Sequence, residues 1–178
     1  IGIIGRPNVG KSTLMNYLVG QKIAITSPVA QTTRNRLRGI LTTPEAQMIF
    51  VDTPGIHKPH HQLGKVLVEN AQIAIKSVDV VLFVVDGSVE AGGGDRYIVE
   101  LLETTKTPVI LGLNKIDQQP PDEWGIDDSY IQLAKPYNWP LVKFSALTGS
   151  GLEALQQLLI ENLEPGPYYY PPDLVTDQ

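Results

Sequence analysis

The sequence predicts an α/β fold in which helices flank a six-stranded, mostly parallel sheet. Apolar runs alternate with segments of helical spacing along most of the chain, which is the pattern of such folds. The runs at 78–86 and 108–113 are almost wholly apolar, as expected of strands buried on both faces. A glycine-rich loop at 5–12 joins the first apolar run to the first helical segment. With 178 residues, the chain suits one domain with a sizeable core.

The first half of the chain is predicted to contain three strands and two helices. The first strand covers 1–4, and the first helix runs from 11 to 19 before Gly20, which favours a helix end. Residues 24–36 are polar and not periodic, which predicts an exposed loop. The next predicted elements are two strands with the spacing of an antiparallel hairpin, at 37–42 and 47–51, and a helix at 63–76.

The second half continues the alternation of strand and helix. Strands are predicted at 78–86, 108–113 and 141–144, and helices at 95–104, 127–135 and 151–163. The chain then reads Pro-Gly-Pro-Tyr-Tyr-Tyr-Pro-Pro, which cannot continue a helix and predicts an extended linker. We therefore divide the chain into a domain at 1–164 and a tail at 165–178. Because Ile1 lies inside a predicted strand with no initiator Met, we expect both ends to be cut from a longer protein.

The composition excludes several kinds of site. A formal net charge of −5 provides no overall basic field to attract nucleic acid or anionic lipid. The absence of cysteine excludes disulfides and cysteine–zinc sites. No apolar run reaches the length of a membrane span, and no signal peptide is visible. A modest basic stretch could meet RNA or lipid headgroups, although a solvated face is the better default: Lys22, Arg34, Arg36 and Arg38.

The loop between the first strand and the first helix predicts a phosphate-binding site. It reads Gly5-Arg6-Pro7-Asn8-Val9-Gly10-Lys11-Ser12, and Thr13 follows it. Glycine permits a tight turn that aims backbone N–H groups at one anion, and the helix N-terminus adds its own free N–H groups. Lys11 brings a positive charge to the outer phosphates, and the Ser12 hydroxyl can bind Mg²⁺. A chance match is the alternative, and the strand–loop–helix context argues against it.

Polar motifs follow four of the predicted strands. Gly5, Asp52, Asn114 and Ser145 each come just past a strand. Because ligands of open α/β sheets bind outside the carboxyl ends of the strands, we expect these residues to gather on one rim of the sheet.

The run Asp52-Thr53-Pro54-Gly55 is a candidate metal and γ-phosphate site. Asp52 can hold Mg²⁺ through a water, and the Gly55 N–H can meet a γ-phosphate oxygen. The pattern alone is weak evidence, because Asp and Gly are common in turns. Its position after a strand and downstream of a phosphate loop is what favours this interpretation. In the polar loop before it, Thr33 could close over Mg²⁺ and the γ-phosphate. Taken alone, that loop is more simply a surface loop with two threonines.

The run Asn114-Lys115-Ile116-Asp117 predicts selection of guanine. The Asp117 carboxylate can accept hydrogen bonds from guanine N1–H and the 2-amino group, whereas adenine has neither donor. The Lys115 stem can lie over the base, and Asn114 can tie this loop to the phosphate loop. In the short run Ser145-Ala146-Leu147, the Ala146 N–H could meet guanine O6. An ATP-dependent kinase is disfavoured by Asp117.

Together these motifs resemble the TrmE–Era–Der group of translation-factor-like GTPases, and the resemblance covers nearly the whole chain. Three narrower runs are similar to the Era branch: Gln31-Thr32-Thr33-Arg34, Asp52-Thr53-Pro54-Gly55-Ile56-His57 and Pro172-Asp173-Leu174-Val175-Thr176-Asp177. The Der and TrmE branches tend to have Asp where this chain has Asn35. The resemblance implies a P-loop NTPase fold of the Ras-like G-domain type.

The resemblance also implies a GTP-hydrolysing switch that uses GTP, GDP and Mg²⁺ and acts in 16S rRNA processing and small ribosomal subunit assembly. RNA would bind mainly through a C-terminal KH domain that lies outside this chain. We further expect a monomer in the cytoplasm, with peripheral association at the inner face of the cell membrane. The alternatives are a GTP-dependent binding module with negligible hydrolysis, or a Der- or TrmE-type GTPase domain.

How the attacking water is activated is left open by the sequence. Many GTPases place a Gln after the glycine that corresponds to Gly55, and this chain has Ile56, which cannot orient water. In the related TrmE branch, an Asn at the position of Asn8 helps to bind K⁺, which makes K⁺ a candidate cofactor. The alternative to K⁺ binding is that Asn8 only shapes its loop through local backbone hydrogen bonds. The candidate catalytic residues are therefore Asn8, Lys11, Thr33 and Gly55.

Overall fold

The computed structural model describes residues 1–6, 9–18, 72–73, 75–76 and 78–163, together with the backbone of 36–42 and 47–52. The strands in these ranges are β1 (Gly2–Gly5), β2 (Arg36–Thr42), β3 (Gln47–Asp52), β4 (Val81–Asp86), β5 (Val109–Asn114) and β6 (Leu141–Lys143). The longer helices are α1 (Lys11–Leu18), α2 (Gly93–Leu102), α3 (Trp124–Ala134) and α4 (Leu152–Asn162). Short 3₁₀ turns cover Ile116–Gln118 and Lys135–Tyr137, and residues 72–73 and 75–76 are helical.

The strands form one sheet in the order β2-β3-β1-β4-β5-β6. Strand β1 lies in the middle of the order and pairs in parallel with β3 on one side and β4 on the other. Strands β5 and β6 continue the parallel pairing, and only the edge strand β2 runs antiparallel, to β3. The predicted six-stranded, mostly parallel sheet with an antiparallel hairpin is confirmed.

Both faces of the sheet are covered, which explains why its central strands are apolar throughout. Along β4, Leu82 and Val84 join a core with residues of α1 and α4. Phe83 and Val85 point the other way, into a core with residues of α2 and α3. Alternate side chains of a strand point to opposite faces, so a strand between two helical layers needs apolar residues at every position. None of the helices within the described ranges has the length and apolar character to span a bilayer.

Several element boundaries differ from the predicted ones. The strand predicted at 78–86 begins only at Val81, because residues 78–79 form a bend before the buried run. Helix α2 begins at Gly93, before the predicted start at residue 95, and α3 begins at Trp124, before the predicted start at 127. Of the helix predicted at 63–76, residues 63–71 and 74 lie outside the described residues, as does the tail at 165–178. The loop predicted at 24–36 ends one residue earlier, because Arg36 is the first residue of β2, and residues 24–35 lie outside the described residues.

Candidate functional site

The carboxyl ends of the parallel strands bring the candidate residues to one edge of the sheet. Gly5 ends β1, Asp52 ends β3 and Asn114 ends β5, while Ser145 comes two residues after β6. Gly5 lies beside Val84 of β4 in the strand register. The predicted rim therefore forms at the edge where open α/β sheets bind ligands.

The phosphate loop leaves β1 in a tight space. A Cβ atom on Gly5 would lie 2.5 Å from the carbonyl oxygen of Val84, so only glycine fits there. Gly10 has φ +96°, a left-handed conformation, and a Cβ on it would collide with the side-chain amide of Asn114. The Gly10 carbonyl then accepts from the Leu14 N–H at 3.0 Å, which begins the hydrogen-bonding of α1.

Lys11 and the two residues after it form the first turn of α1. The Lys11 ammonium donates to the Gly5 carbonyl oxygen at 3.3 Å, which holds the positive charge across the loop. Ser12 and Thr13 are exposed in the same turn. This turn therefore presents a cation, hydroxyl groups and a helix N-terminus together, which is a suitable set for phosphate oxygens.

The side chain of Asn114 joins three separate parts of the site. It is 2% exposed, and its Nδ2 donates to the Val9 carbonyl oxygen at 2.9 Å. Its Oδ1 accepts from the Ala146 N–H, also at 2.9 Å. The predicted tie between the base-selecting loop and the phosphate loop is confirmed, and the third loop joins the same amide. The Ala146 N–H fastens its own loop in this structure, and its contact with guanine O6 stays a prediction.

Asp117 is held by the same third loop. The Ser145 hydroxyl is fully buried and donates to Asp117 Oδ1 at 2.8 Å, which fixes the orientation of the carboxylate. The backbone reaches this position through Lys115, which has a left-handed φ of 66°. The Ile116 N–H donates to the Phe144 carbonyl oxygen at 3.3 Å, so the chain turns back onto the end of β6. Leu147, by contrast, is 72% exposed at the outside of the loop.

Asp86 is a residue of this site that the sequence reasoning missed. It ends β4, and its Oδ2 lies 3.4 Å from the Lys115 ammonium. Burial alone would raise the pKa of Asp86, but hydrogen bonds from Ser88 and the charge of Lys115 outweigh burial and hold the pKa below its ordinary value. Asp86 could have been predicted from the sequence, because it is a polar residue at the end of a strand, as Asp52 and Asn114 are.

The loop after Asp86 is anchored by Tyr130 of α3. The Tyr130 hydroxyl lies 2.8 Å from the Asp86 carbonyl oxygen and 3.0 Å from that of Val89, and it can donate to either. Burial, followed by the charges of Asp95 and Asp86, raises the pKa of Tyr130 above its ordinary value. The phenol therefore stays protonated and keeps its donor at all ordinary pH values.

Arg6 extends its side chain to the first turn of α2. Its guanidinium Nη1 lies 3.4 Å from Asp95 Oδ2 in α2, and the Arg6 side chain is 40% exposed. While this pair is formed, the Nη1 group of Arg6 is held at the first turn of α2. The sequence alone did not indicate the partner, which is 89 residues away.

The remaining predicted site residues come from the phosphate loop and from the predicted loops before β2 and after β3. Pro7, Asn8, Thr33 and the run Thr53-Pro54-Gly55 lie outside the described residues, so their roles stay predictions. The backbone of Asp52 is described, and it lies beside Ile3 in the register of β1 and β3. A carboxylate there and the exposed Ser12 hydroxyl are hard oxygen donors of the kind that Mg²⁺ prefers. Among the described residues, no three metal-binding side chains form a cluster.

Comparison with protein families gives a match along most of the chain. The family described as 50S ribosome-binding GTPase matches residues 1–115. A protein named GTPase Era from Rippkaea orientalis is 78% identical over all 178 residues of this chain, which correspond to 57% of that protein. GTPase Era from Nostoc sp. is 79% identical over the same residues, or 55% of its length. The chain thus spans little more than half the length of these curated relatives.

Solved structures resemble this chain over nearly its whole length. Aquifex aeolicus Era, in a crystal structure with GDP and AlF₄⁻, is 38% identical with a TM-score of 0.83, over 99% of this chain and 60% of that one. An Era structure in complex with MgGDPNP and nucleotides 1506–1542 of 16S ribosomal RNA is 37% identical with a TM-score of 0.84. That match also covers 99% of this chain and 60% of the other.

Proposed function

This chain belongs to the family of 50S ribosome-binding GTPases as an Era-type GTPase domain, and we propose that it binds GTP and GDP with Mg²⁺ and hydrolyses GTP. The observation that carries the proposal is the buried amide of Asn114, which bonds the phosphate loop at Val9 and the third loop at Ala146. A single side chain thus fixes the phosphate-binding and base-selecting parts relative to each other. Such an assembly suits a ligand that has both a polyphosphate and a base.

The residues of the rim divide the work of binding. Lys11 and the first N–H groups of α1 neutralise phosphate oxygens, while Ser12, and Asp52 through a water, would hold Mg²⁺. The ion, when bound, offsets the charge that develops on the β- and γ-phosphates. Asp117, fixed by the Ser145 hydroxyl, accepts hydrogen bonds from guanine, whereas adenine has no donors at the matching positions. Loss of the γ-phosphate removes the contacts that Thr33 and Gly55 are predicted to make, and this change is what a partner would detect.

For the whole protein, we propose a role in 16S rRNA processing and small ribosomal subunit assembly. The similar Era structure that contains nucleotides of 16S ribosomal RNA supports this proposal. With a formal net charge of −5, this domain is a poor electrostatic partner for RNA, so we assign most of the RNA contact to a KH domain that follows it in the longer protein.

We also make proposals for the oligomeric state of the protein and for its location in the cell. For the oligomeric state, we propose a monomer. Ribosomal subunits assemble in the cytoplasm, which supports a cytoplasmic protein. The basic stretch of Lys22, Arg34, Arg36 and Arg38 supports peripheral association with anionic headgroups at the inner face of the membrane.

We also propose that K⁺ is a cofactor for GTP hydrolysis. Asn8 lies in the phosphate loop, and its carboxamide oxygen is a suitable ligand for a hard cation. A K⁺ ion at this position would supply the positive charge that an arginine finger supplies in other GTPases. The competing interpretation, that Asn8 only shapes its loop, predicts equal hydrolysis in K⁺ and Na⁺.

Multiple-turnover release of phosphate tests the proposed hydrolysis. We expect turnover with GTP and none with ATP, and a faster rate when small ribosomal subunits are added. Tight GTP binding without turnover in either condition would favour the alternative, a binding module whose GTP-bound shape does the work. Equal binding of ATP and GTP would contradict the proposed base selection.

A further inference from the structure

Arg6 and Asp95 form an ion pair beside the nucleotide site that has no part in the function proposed above. Asp95 is 1% exposed and is the third residue of α2. Removing a carboxylate from water is unfavourable unless the charge is paired and fully hydrogen-bonded. The hydrogen bonds of Asp95 therefore indicate whether its carboxylate serves the stability of the fold alone.

Within the part of the chain that the structure describes, only one carboxylate oxygen of Asp95 has hydrogen-bond partners. Its Oδ2 accepts from the Gly92 N–H at 2.9 Å and lies 3.4 Å from Arg6 Nη1. Its Oδ1 is buried and has no hydrogen-bond partner among the described residues. A charged group in such surroundings is a poor choice for stability alone, which points to another role.

The Arg6 side chain lies directly on the first turn of α2. A Cβ atom on Gly94 would come within 2.9 Å of Arg6 Nε and 3.0 Å of Arg6 Cδ. The neighbouring Gly93 has open space at the same position, with no atom within 4 Å of a Cβ. Gly94 thus makes room for the arginine, and the pair of glycines provides a matched comparison.

Arg6 is also the residue directly after Gly5 in the phosphate loop. The Gly5 carbonyl oxygen accepts from the Lys11 ammonium at 3.3 Å. The backbone at residues 5–6 is therefore held from within the loop by Lys11 and from outside it by Asp95. If the outer contact is lost, the carbonyl that orients Lys11 can shift.

We propose that Asp95 is a positioning residue of the nucleotide site, acting through Arg6 to set the rate at which nucleotide is released. The ion pair holds the start of the phosphate loop against α2 in the shape that binds phosphate. This inference rests on the proposed function, because it requires a bound guanine nucleotide.

A purely structural role predicts something different. If Asp95 only satisfies the Gly92 N–H at the start of α2, then Asp95→Asn, which keeps an acceptor oxygen, should leave nucleotide release unchanged. If it acts through Arg6, removing its charge should have the same effect as removing the guanidinium with Arg6→Ala.

The test is the release rate of fluorescently labelled GDP from the full chain in excess unlabelled GDP and Mg²⁺. We expect Arg6→Ala and Asp95→Asn each to release GDP about tenfold faster, as loss of one charge-assisted contact would. The double variant should also be about tenfold faster and not a hundredfold, because the two residues act as one unit. Gly94→Ala should release GDP faster than wild type, while Gly93→Ala matches wild type.

The outcomes separate this inference from the function on which it depends. A wild-type chain that binds no guanine nucleotide would overturn the proposed function. A wild type that binds GDP, with variants that release it at the wild-type rate or with effects that multiply in the double variant, would overturn only the role of the pair. If Asp95→Asn does not fold, Arg6→Ala and the two glycine variants decide the matter, and equal rates for Gly93→Ala and Gly94→Ala would count against it.

Discussion

Asn114→Ala should weaken both the fold and nucleotide binding, because it removes two buried hydrogen bonds at once. The Val9 carbonyl and the Ala146 N–H lose these partners, and both residues are 3% exposed. A buried backbone group without a partner costs about 1–3 kcal/mol, so the two together should lower the free energy of unfolding by about 2–6 kcal/mol. The phosphate loop and third loop would also lose their fixed separation, which should reduce GDP affinity by about 10- to 100-fold.

Urea unfolding without nucleotide and calorimetric titration with GDP measure the two effects separately. Asn162→Ala is a matched control, because Asn162 also donates to a backbone carbonyl at 2.9 Å, that of Leu158, but in α4. The control should cost about 1 kcal/mol or less and leave GDP affinity unchanged. If Asn114→Ala unfolds at the wild-type urea concentration and binds GDP as wild type does, the reasoning from its hydrogen bonds is wrong.

Asp117→Asn should weaken GTP binding by about 2–4 kcal/mol and favour xanthine nucleotides, because an amide can donate where the carboxylate only accepts; unchanged GTP affinity in a competition titration would remove its role. The domain alone should bind 16S rRNA weakly because its charge is −5, and tight binding in a salt titration at physiological ionic strength would contradict this. Asp86→Asn should alter the acid side of the stability curve. The pKa of Asp86 is lowered in the folded state, so its stabilisation is complete above the unfolded pKa of about 3.9 and is lost as pH falls through the folded pKa. The difference between variant and wild type in urea unfolding should therefore shrink in acid, and a constant difference would argue against it. Hydrolysis should be faster in KCl than in NaCl, and Asn8→Ala should abolish that difference with little change in GDP affinity; equal wild-type rates would leave only the loop-shaping role.

The sheet could be predicted from the sequence because its pattern is local. The apolar run of β4 is buried on both faces, and the hairpin of β2 and β3 follows from their short separation. Boundaries were less predictable. Val78 is as apolar as the residues of β4, and only the bend at residues 78–79 shows that it lies before the strand. Gly93 carries no helical signal, yet α2 begins there.

The contacts of the site were predictable only where a motif names both partners. Asn114 could be expected to reach the phosphate loop, because both belong to recognised motifs. The pair of Arg6 and Asp95 joins residues 89 positions apart, and neither periodicity nor composition indicates it. Asp86 could have been found with the rule that was applied to the other strand ends. Its bond to Lys115 depends on the register of β4 and β5, in which Asp86 lies beside Asn114.

The buried amide of Asn114 also determines when, during synthesis, a nucleotide pocket can exist. Its two partners lie 105 residues before it and 32 residues after it. A nascent chain leaves the ribosome amino end first, so the phosphate loop emerges long before Ala146 has been translated. An unfinished chain that ends before Ser145 has a phosphate loop but lacks the Ser145 hydroxyl that orients Asp117. Such a chain could attract any polyphosphate through Lys11 without distinguishing guanine from adenine, and specificity is acquired only as the last part of the domain is made.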